Sequence, residues 1–297
     1  MCYRACDGKL RHGSDKNVVV LRKLEADESA QQMRWLCGDT WPPKDGGTGF
    51  DPADGWPAAV WVLNAMYERD DMPSNLTHHE LHQQAIAAGL EEPTVINGVN
   101  LDEATVTTGV GLGFTEKPAP LWRRLTWTSL GRREGFGFWA VDGRWPQLRF
   151  TPQSDWDDPT VMPVSSWPRV GPTRQSSWPL SILPPTEGSL DEESLLALIA
   201  VLSRYTAPKA LEHCGFYYGA VPFMGEGATM YTGDLRDLPA FVTSRRGARL
   251  TPSNIWPADH SWLVYTDYDL WATRVSGSPP LIGAIFEDSV LEAIRCG

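Results

Sequence analysis

The chain of 297 residues carries 26 Lys and Arg against 37 Asp and Glu, a net charge of −11, with 42% hydrophobic residues and 14 tryptophans. That apolar content fills a core and excludes a disordered or collagen-like chain, while the negative balance disfavours nucleic-acid binding, which needs clustered Lys and Arg. No run of 18 apolar residues occurs, the N-terminal stretch lacks an apolar signal region, and the five cysteines (Cys2, Cys6, Cys37, Cys214, Cys296) show no paired or CxxC spacing, so a cytosolic chain with reduced thiols and no membrane partner is expected.

In chain order, residues 16–21 are a β-branched run that reads as a strand, and residues 25–37 read as a helix stopped by Gly38. Residues 45–55 are a Gly- and Asp-rich loop. Trp56-Pro57 places proline at a first helical position, and residues 58–68, apolar nearly all round, are expected as a buried helix. Thr77 with Glu80 forms a capping box, Leu76 with Leu81 a hydrophobic staple, and that helix stops at Gly89. Asn97-Gly98 signals a hairpin across residues 94–101, and residues 105–114 continue as a Gly-interrupted strand.

A second hairpin is expected about Asp142-Gly143, followed by a Pro-, Ser- and Trp-rich stretch, residues 151–185, that reads as a loop packed by Trp156, Trp167 and Trp178 in preference to a mobile connector. Ser189 with Glu192 reads as a capping box for a helix whose apolar face is Leu195, Leu196, Ile199 and Leu202. Residues 214–219 and 261–269 read as strands, and Ser278 caps a last helix running to about Ile294. Helices and strands interleave without a repeat, which predicts an α+β (mixed α/β) fold: an antiparallel or mixed sheet with flanking helices and long Pro/Trp-rich loops.

The charge is uneven. Residues 39–116 hold 13 acidic side chains and two basic ones (Lys44 and Arg69), whereas residues 121–150 hold six arginines (123, 124, 132, 133, 144, 149) against Glu134 and Asp142. The contrast suggests an acidic region, 1–120, and a Trp-rich region, 121–297, which can equally be one continuous domain. The arginines are expected to pair internally with the acidic segment and to stack on tryptophans, in preference to forming an anion site for a phosphate or carboxylate, since no Gly-rich phosphate loop stands beside them.

Catalytic signatures are incomplete. His78 and His82 stand at i and i+4 but not in HExxH, and Asp45, Asp51 and Asp54 lack EF-hand spacing, so neither set is expected to bind metal. No cofactor motif is present either, Gly109 to Gly113 lacking the G-x-G-x-x-G spacing. The densest cluster of recognition chemistry lies in residues 254–274. Trp256, Asp259, His260, Trp262, Asp267, Asp269, Trp271 and Arg274 together suit a cationic or ring-bearing group, or a basic protein surface. The competing reading makes the tryptophans core and the aspartates turn-formers.

The stretches Trp122-Arg-Arg-Leu-Thr-Trp127, residues 177–190 and residues 255–269, followed by Val275-Ser-Gly-Ser278, resemble a family of actinobacterial hypothetical proteins with a Trp-Pro-x-Asp-x-Ser-Trp block before a Thr-Asp-x-Asp strand. The resemblance covers chiefly residues 121–297 and implies a cytosolic actinobacterial protein. It brings no catalytic residues, and His260 stands where the family pattern has Arg. Two functions are carried forward. One is a non-catalytic binding protein, of toxin-neutralising (immunity-like) or regulatory type, with a basic protein partner. The other is an enzyme or small-molecule binder whose aromatic pocket gathers Asp259, His260, Asp267 and Arg274.

Overall fold

The computed structural model describes residues 21–37, 49–50, 55–134, 136–137, 140–141, 147–148, 151–152, 177–219, 227–244, 250–267 and 270–295, less positions 97, 101, 103–105, 112 and 117. Residues 16–20 of the strand expected at 16–21, most of the loop at 45–55 including Asp45, Asp51 and Asp54, Gly38, Asp142-Gly143, Trp156, Trp167 and Asp269 lie outside them.

The elements run β1 (Arg22–Lys23), α1 (Ala26–Cys37), β2 (Ala58–Leu63), β3 (Met66–Glu68), α2 (His78–Ala87), β4 (Val95–Ile96), β5 (Val99–Asn100), β6 (Arg123–Leu125), α3 (Trp127–Glu134) and four two-residue strands β7 to β10 (Phe136–Gly137, Ala140–Val141, Gln147–Leu148, Thr151–Pro152). Then follow β11 (Ile182–Leu183), α4 (Glu192–Arg204), α5 (Pro208–Leu211), β12 (Cys214–Tyr218), β13 (Thr229–Gly233), α6 (Leu238–Ser244), β14 (Asn254–Trp256), β15 (Leu263–Thr266), β16 (Ala272–Gly277), α7 (Pro279–Glu287) and β17 (Ala293–Arg295). This is the α+β architecture expected. An eight-stranded sheet in the order β1-β13-β12-β14-β15-β16-β2-β17 and a three-stranded sheet, β11-β3-β6, are antiparallel throughout. The large sheet takes strands from both sides of residue 120.

Both faces of the large sheet are buried. Val60, Val62, Phe216, Ile255, Val264 and Val275 face a core closed by Leu195, Leu198 and Leu202 of α4, Leu238 and Val242 of α6, and Leu281 and Ile285 of α7. The opposite face divides in two. Trp61, Leu63, Tyr265 and Ala272 pack with Trp127, Leu130 and Trp178, while Tyr217, Trp256 and Leu263 pack with Met33 of α1. Gly215 makes room for this second part, since a Cβ there would collide with the Trp256 indole.

Burial on both faces explains the main correction to the sequence reading. Residues 58–68 are not a helix but β2 and β3: alternate side chains of β2 enter different cores, so the run is apolar at every position, as a buried helix also would be. Three further corrections have local causes. The described residues of 106–114 form no strand. They bond instead to residues 178 and 187 (Trp178 N–H to Thr108 O, 3.0 Å; Gly113 N–H to Glu187 O, 3.1 Å). Asp191, not Ser189, is the N-cap of α4, because the Ser189 hydroxyl accepts the Thr251 N–H at 3.0 Å; on that helix Leu198 and Val201 are buried where Leu196 is exposed. The last helix stops at Glu287, where Asp288 Oδ1 accepts the N–H groups of Val290 and Leu291, and the chain returns as edge strand β17. The expected hairpins are present as β4–β5 and as the nested pairs β8–β9 and β7–β10.

Candidate functional site

Of the eight residues singled out in 254–274, the three tryptophans are core. Trp256, Trp262 and Trp271 are 1%, 0% and 6% exposed, so they present no ring to a ligand at the surface. Trp256 meets Trp35 edge-on at 5.8 Å, Trp262 donates its indole N–H to Thr206 Oγ1 at 2.6 Å, and Trp271 lies 5.8 Å from Trp127. Asp259 shapes the turn after β14 by accepting the Ser261 N–H at 3.1 Å. His260 follows with φ +51°, the sole non-glycine residue with positive φ among those described, and its ring stacks on Trp35 at 4.1 Å. Partial burial there pushes its imidazole below the usual 6.5, opposed by the Asp259 carboxylate.

Asp267 lies past the other end of β15 and accepts the Tyr265 hydroxyl at 3.0 Å. Arg274 stands across the ladder from Tyr265 and Trp61, with its guanidinium 5.8 Å from the Trp61 ring; both charged residues are 5% exposed. The four residues of β15 span about 13 Å at the ordinary strand rise, which keeps Asp259 and His260 away from Asp267 and Arg274. The four groups therefore do not converge on one pocket. An open cleft of about 630 Å³ lies instead at the C-terminal ends of α4 and α7, lined by Arg204, Tyr205, Ala284, Glu287, Asp288 and Ser289, none of them among the eight.

Three arginines of the basic stretch after residue 120, Arg123, Arg124 and Arg133, pair with carboxylates of the same chain. Arg123 and Glu68 face each other across the β3–β6 ladder at 3.3 Å, and Arg123 also reaches Asp70 at 2.7 Å. Arg133 binds Glu68 at 2.7 Å, while the Arg69 guanidinium lies 5.4 Å from the Trp122 ring. Arg124 passes inward to Asp191 (3.1 Å) and Ser194 (2.7 Å).

The acidic segment has a different character farther along. Between Arg69 and Lys117 the sequence has eight Asp and Glu and not one Lys or Arg. Its middle folds as α2 with the β4–β5 hairpin. The helix starts at the expected capping box, Thr77 Oγ1 accepting the Glu80 N–H at 3.2 Å and Glu80 Oε2 accepting the Thr77 N–H at 2.8 Å. Its first turn is moored to the body by the His78 and His79 N–H groups, bonded to Trp178 O (3.0 Å) and Ser177 Oγ (2.8 Å). No α2 residue is fully buried. Leu81, expected to staple back onto Leu76, is 47% exposed; Leu90 is 74% and Val95 58% exposed. Three of the seven large apolar side chains exposed among the described residues thus fall between positions 81 and 95.

One side chain ties these parts together. His82 sits between two carboxylates, Nδ1 2.7 Å from Glu91 Oε2 and Nε2 2.8 Å from Asp102 Oδ1. Asp102 also accepts the Thr94 N–H at 2.6 Å, and its backbone O accepts from Gln83 Nε2 at 3.1 Å. Hydrogen bonds to Asp102 first and Glu91 second raise His82 above the usual 6.5, and His82, then the Thr94 N–H, hold Asp102 below the usual carboxylate range. Sequence reasoning missed these partners because they lie nine and twenty residues away. His78 and His82, a possible metal pair by spacing, point to different partners, Ile182 O at 3.1 Å for His78, and among the described residues no group of three His, Cys, Asp or Glu is placed to hold a metal ion.

The class defined by these observations is an α+β protein with two buried sheet faces and an acidic, apolar-studded helix–hairpin on its surface. No family model, curated protein or solved structure matches the chain. Among the described residues no helix is long and apolar enough to cross a membrane.

Proposed function

We propose that this is a non-catalytic cytosolic binding protein that captures a basic protein partner on α2 and the β4–β5 hairpin, as a regulatory or toxin-neutralising (immunity-like) module. The observation that carries it is the exposure of Leu81, Leu90 and Val95 within a segment that has no Lys or Arg. Exposed apolar side chains within a segment rich in Asp and Glu are the composition of a docking surface: the apolar groups supply affinity, and the acidic groups steer a partner of opposite charge and reject acidic ones. The best-fitting partner element is an amphipathic helix whose apolar stripe is flanked by Lys and Arg.

Calorimetric titration with a synthetic Leu/Lys amphipathic helical peptide tests this reading. The full chain is expected to bind it, Leu90→Lys to weaken binding at least about tenfold, roughly the 1.4 kcal/mol of one well-buried apolar contact, and Leu121→Lys, at an exposed leucine outside the segment, to leave it unchanged. Equal affinities for wild type, Leu90→Lys and Leu121→Lys contradict it.

A further inference from the structure

A titratable side chain, His82, lies within the docking surface, and the regulation assigned to it below rests on the reading above. Leu81 precedes His82, Leu90 precedes its partner Glu91, and Val95 follows Thr94, which is bonded to its other partner Asp102. All three exposed apolar side chains are therefore one residue from the network centred on His82.

The geometry at His82 requires a charged ring. Each ring nitrogen faces a carboxylate oxygen, and only the imidazolium carries N–H on both; the neutral ring donates to one carboxylate and turns a lone pair toward the other. The contact released is the one to Glu91. Asp102 is fastened by Thr94, by Gln83, and by its own N–H to Asn100 Oδ1 at 3.1 Å, whereas the Glu91 side chain is 53% exposed on a short turn. Among the described residues that turn is otherwise joined to α2 by backbone bonds alone, the Gly89 N–H to Ile86 O and the Leu90 N–H to Ala85 O, each 2.9 Å, with the Glu91 N–H reaching Ala85 O at 3.4 Å. The titratable groups facing the network are Glu91 from the turn, Asp102 from the end of the hairpin, and His79 from the first turn of α2, whose charge acts on Asp102.

We propose that His82 is a proton-operated clamp: charged, it fastens the Leu90–Glu91 turn to α2 and assembles Leu81, Leu90 and Val95 into the docking surface; deprotonated, it releases the turn and weakens capture of the basic partner. The sign follows from both groups. The contribution of His82 is full below its ordinary 6.5 and is lost as pH rises through its raised folded value. That of Asp102 is present above its ordinary 3.8 and is lost as pH falls through its depressed folded value. The clamp is closed between those two limits.

The test follows three quantities in the full-length protein by NMR from about pH 5.5 to about pH 9, a range that spans histidine titration: the His82 ring shifts, the exchange protection of the Leu90 amide corrected for its intrinsic rate, and the affinity for the Leu/Lys peptide at constant ionic strength. In wild type, protection and affinity are expected to fall together as the ring loses its proton. His82→Gln and Glu91→Gln are expected to flatten both curves; the second variant alters only the exposed partner and serves if the first does not fold. Leu90 protection that stays constant through the His82 titration overturns the clamp and leaves the docking reading intact. Protection that follows the titration, with no peptide binding at any pH, supports the clamp and overturns the docking reading.

Discussion

Asp191 is 2% exposed at the start of α4, and its surroundings show how a carboxylate is accommodated there. Tyr67 donates its hydroxyl to Asp191 Oδ2 at 2.5 Å, and Arg124 reaches the same oxygen while holding Ser194 with its other nitrogen. Burial first and the Asp191 charge second push the Tyr67 phenol far above its ordinary value, so it remains a donor over the working pH range. These contacts join β3 and β6 of the small sheet to the N-terminus of α4. Removing one side leaves the other uncompensated: Arg124→Met is expected to lower unfolding stability by about 3–5 kcal/mol and Tyr67→Phe by about 1.5–3 kcal/mol, read by urea denaturation. A cost below about 1 kcal/mol for both contradicts this role. At the same scale, composition made the tryptophans legible and left their burial hidden. Trp256, Trp262 and Trp271 enter the core because neighbouring strand residues alternate between two covered faces, a fact of tertiary packing that no local spacing displays. Trp262→Ala is expected to cost about 3–5 kcal/mol, which calorimetric unfolding measures.

Among the elements, α2 is unusual in having a complete cap and no buried residue. Its stability comes from the capping box, the mooring of its first turn, and the His82 network, with little help from apolar burial. Thr77→Ala is expected to cost about 1 kcal/mol locally, raising amide exchange along residues 78–90 with little change in the global unfolding midpoint. A fall in that midpoint equal to the local loss contradicts the independence of α2. The capping box, the β4–β5 hairpin and the Ser278 cap were legible because each is written within four to six residues. The strands β2 and β3 were not, since a run apolar at every position fits a two-faced strand as well as a buried helix. Nor was the end of α7, set by Asp288 turning the chain toward an edge of the sheet. For the candidate site, the acidity of the segment was legible by counting. The outward direction of Leu81 and the joining of His82 to Glu91 and Asp102 depend on how the hairpin folds back, and were not.

Across the whole molecule, the charge imbalance becomes a division of labour. Glu68 and Asp70 meet Arg123 of β6 and Arg133 of α3, pairs that contribute about 0–1 kcal/mol each and mainly set how the small sheet closes. The stretch between Arg69 and Lys117 has no Lys or Arg of its own and carries the exposed Leu81, Leu90 and Val95. Association with a basic partner is therefore expected to be steered by charge, with an on-rate that falls as salt rises while the apolar contacts govern dissociation. The most direct test of this surface is its footprint: hydrogen exchange of the full chain, with and without the Leu/Lys helical peptide, near neutral pH and low ionic strength. The expected result is protection concentrated in residues 78–102 and lost in Leu90→Lys. Protection centred on the cleft lined by Arg204, Tyr205 and Glu287, or on residues 256–274, with residues 78–102 unchanged, would contradict it.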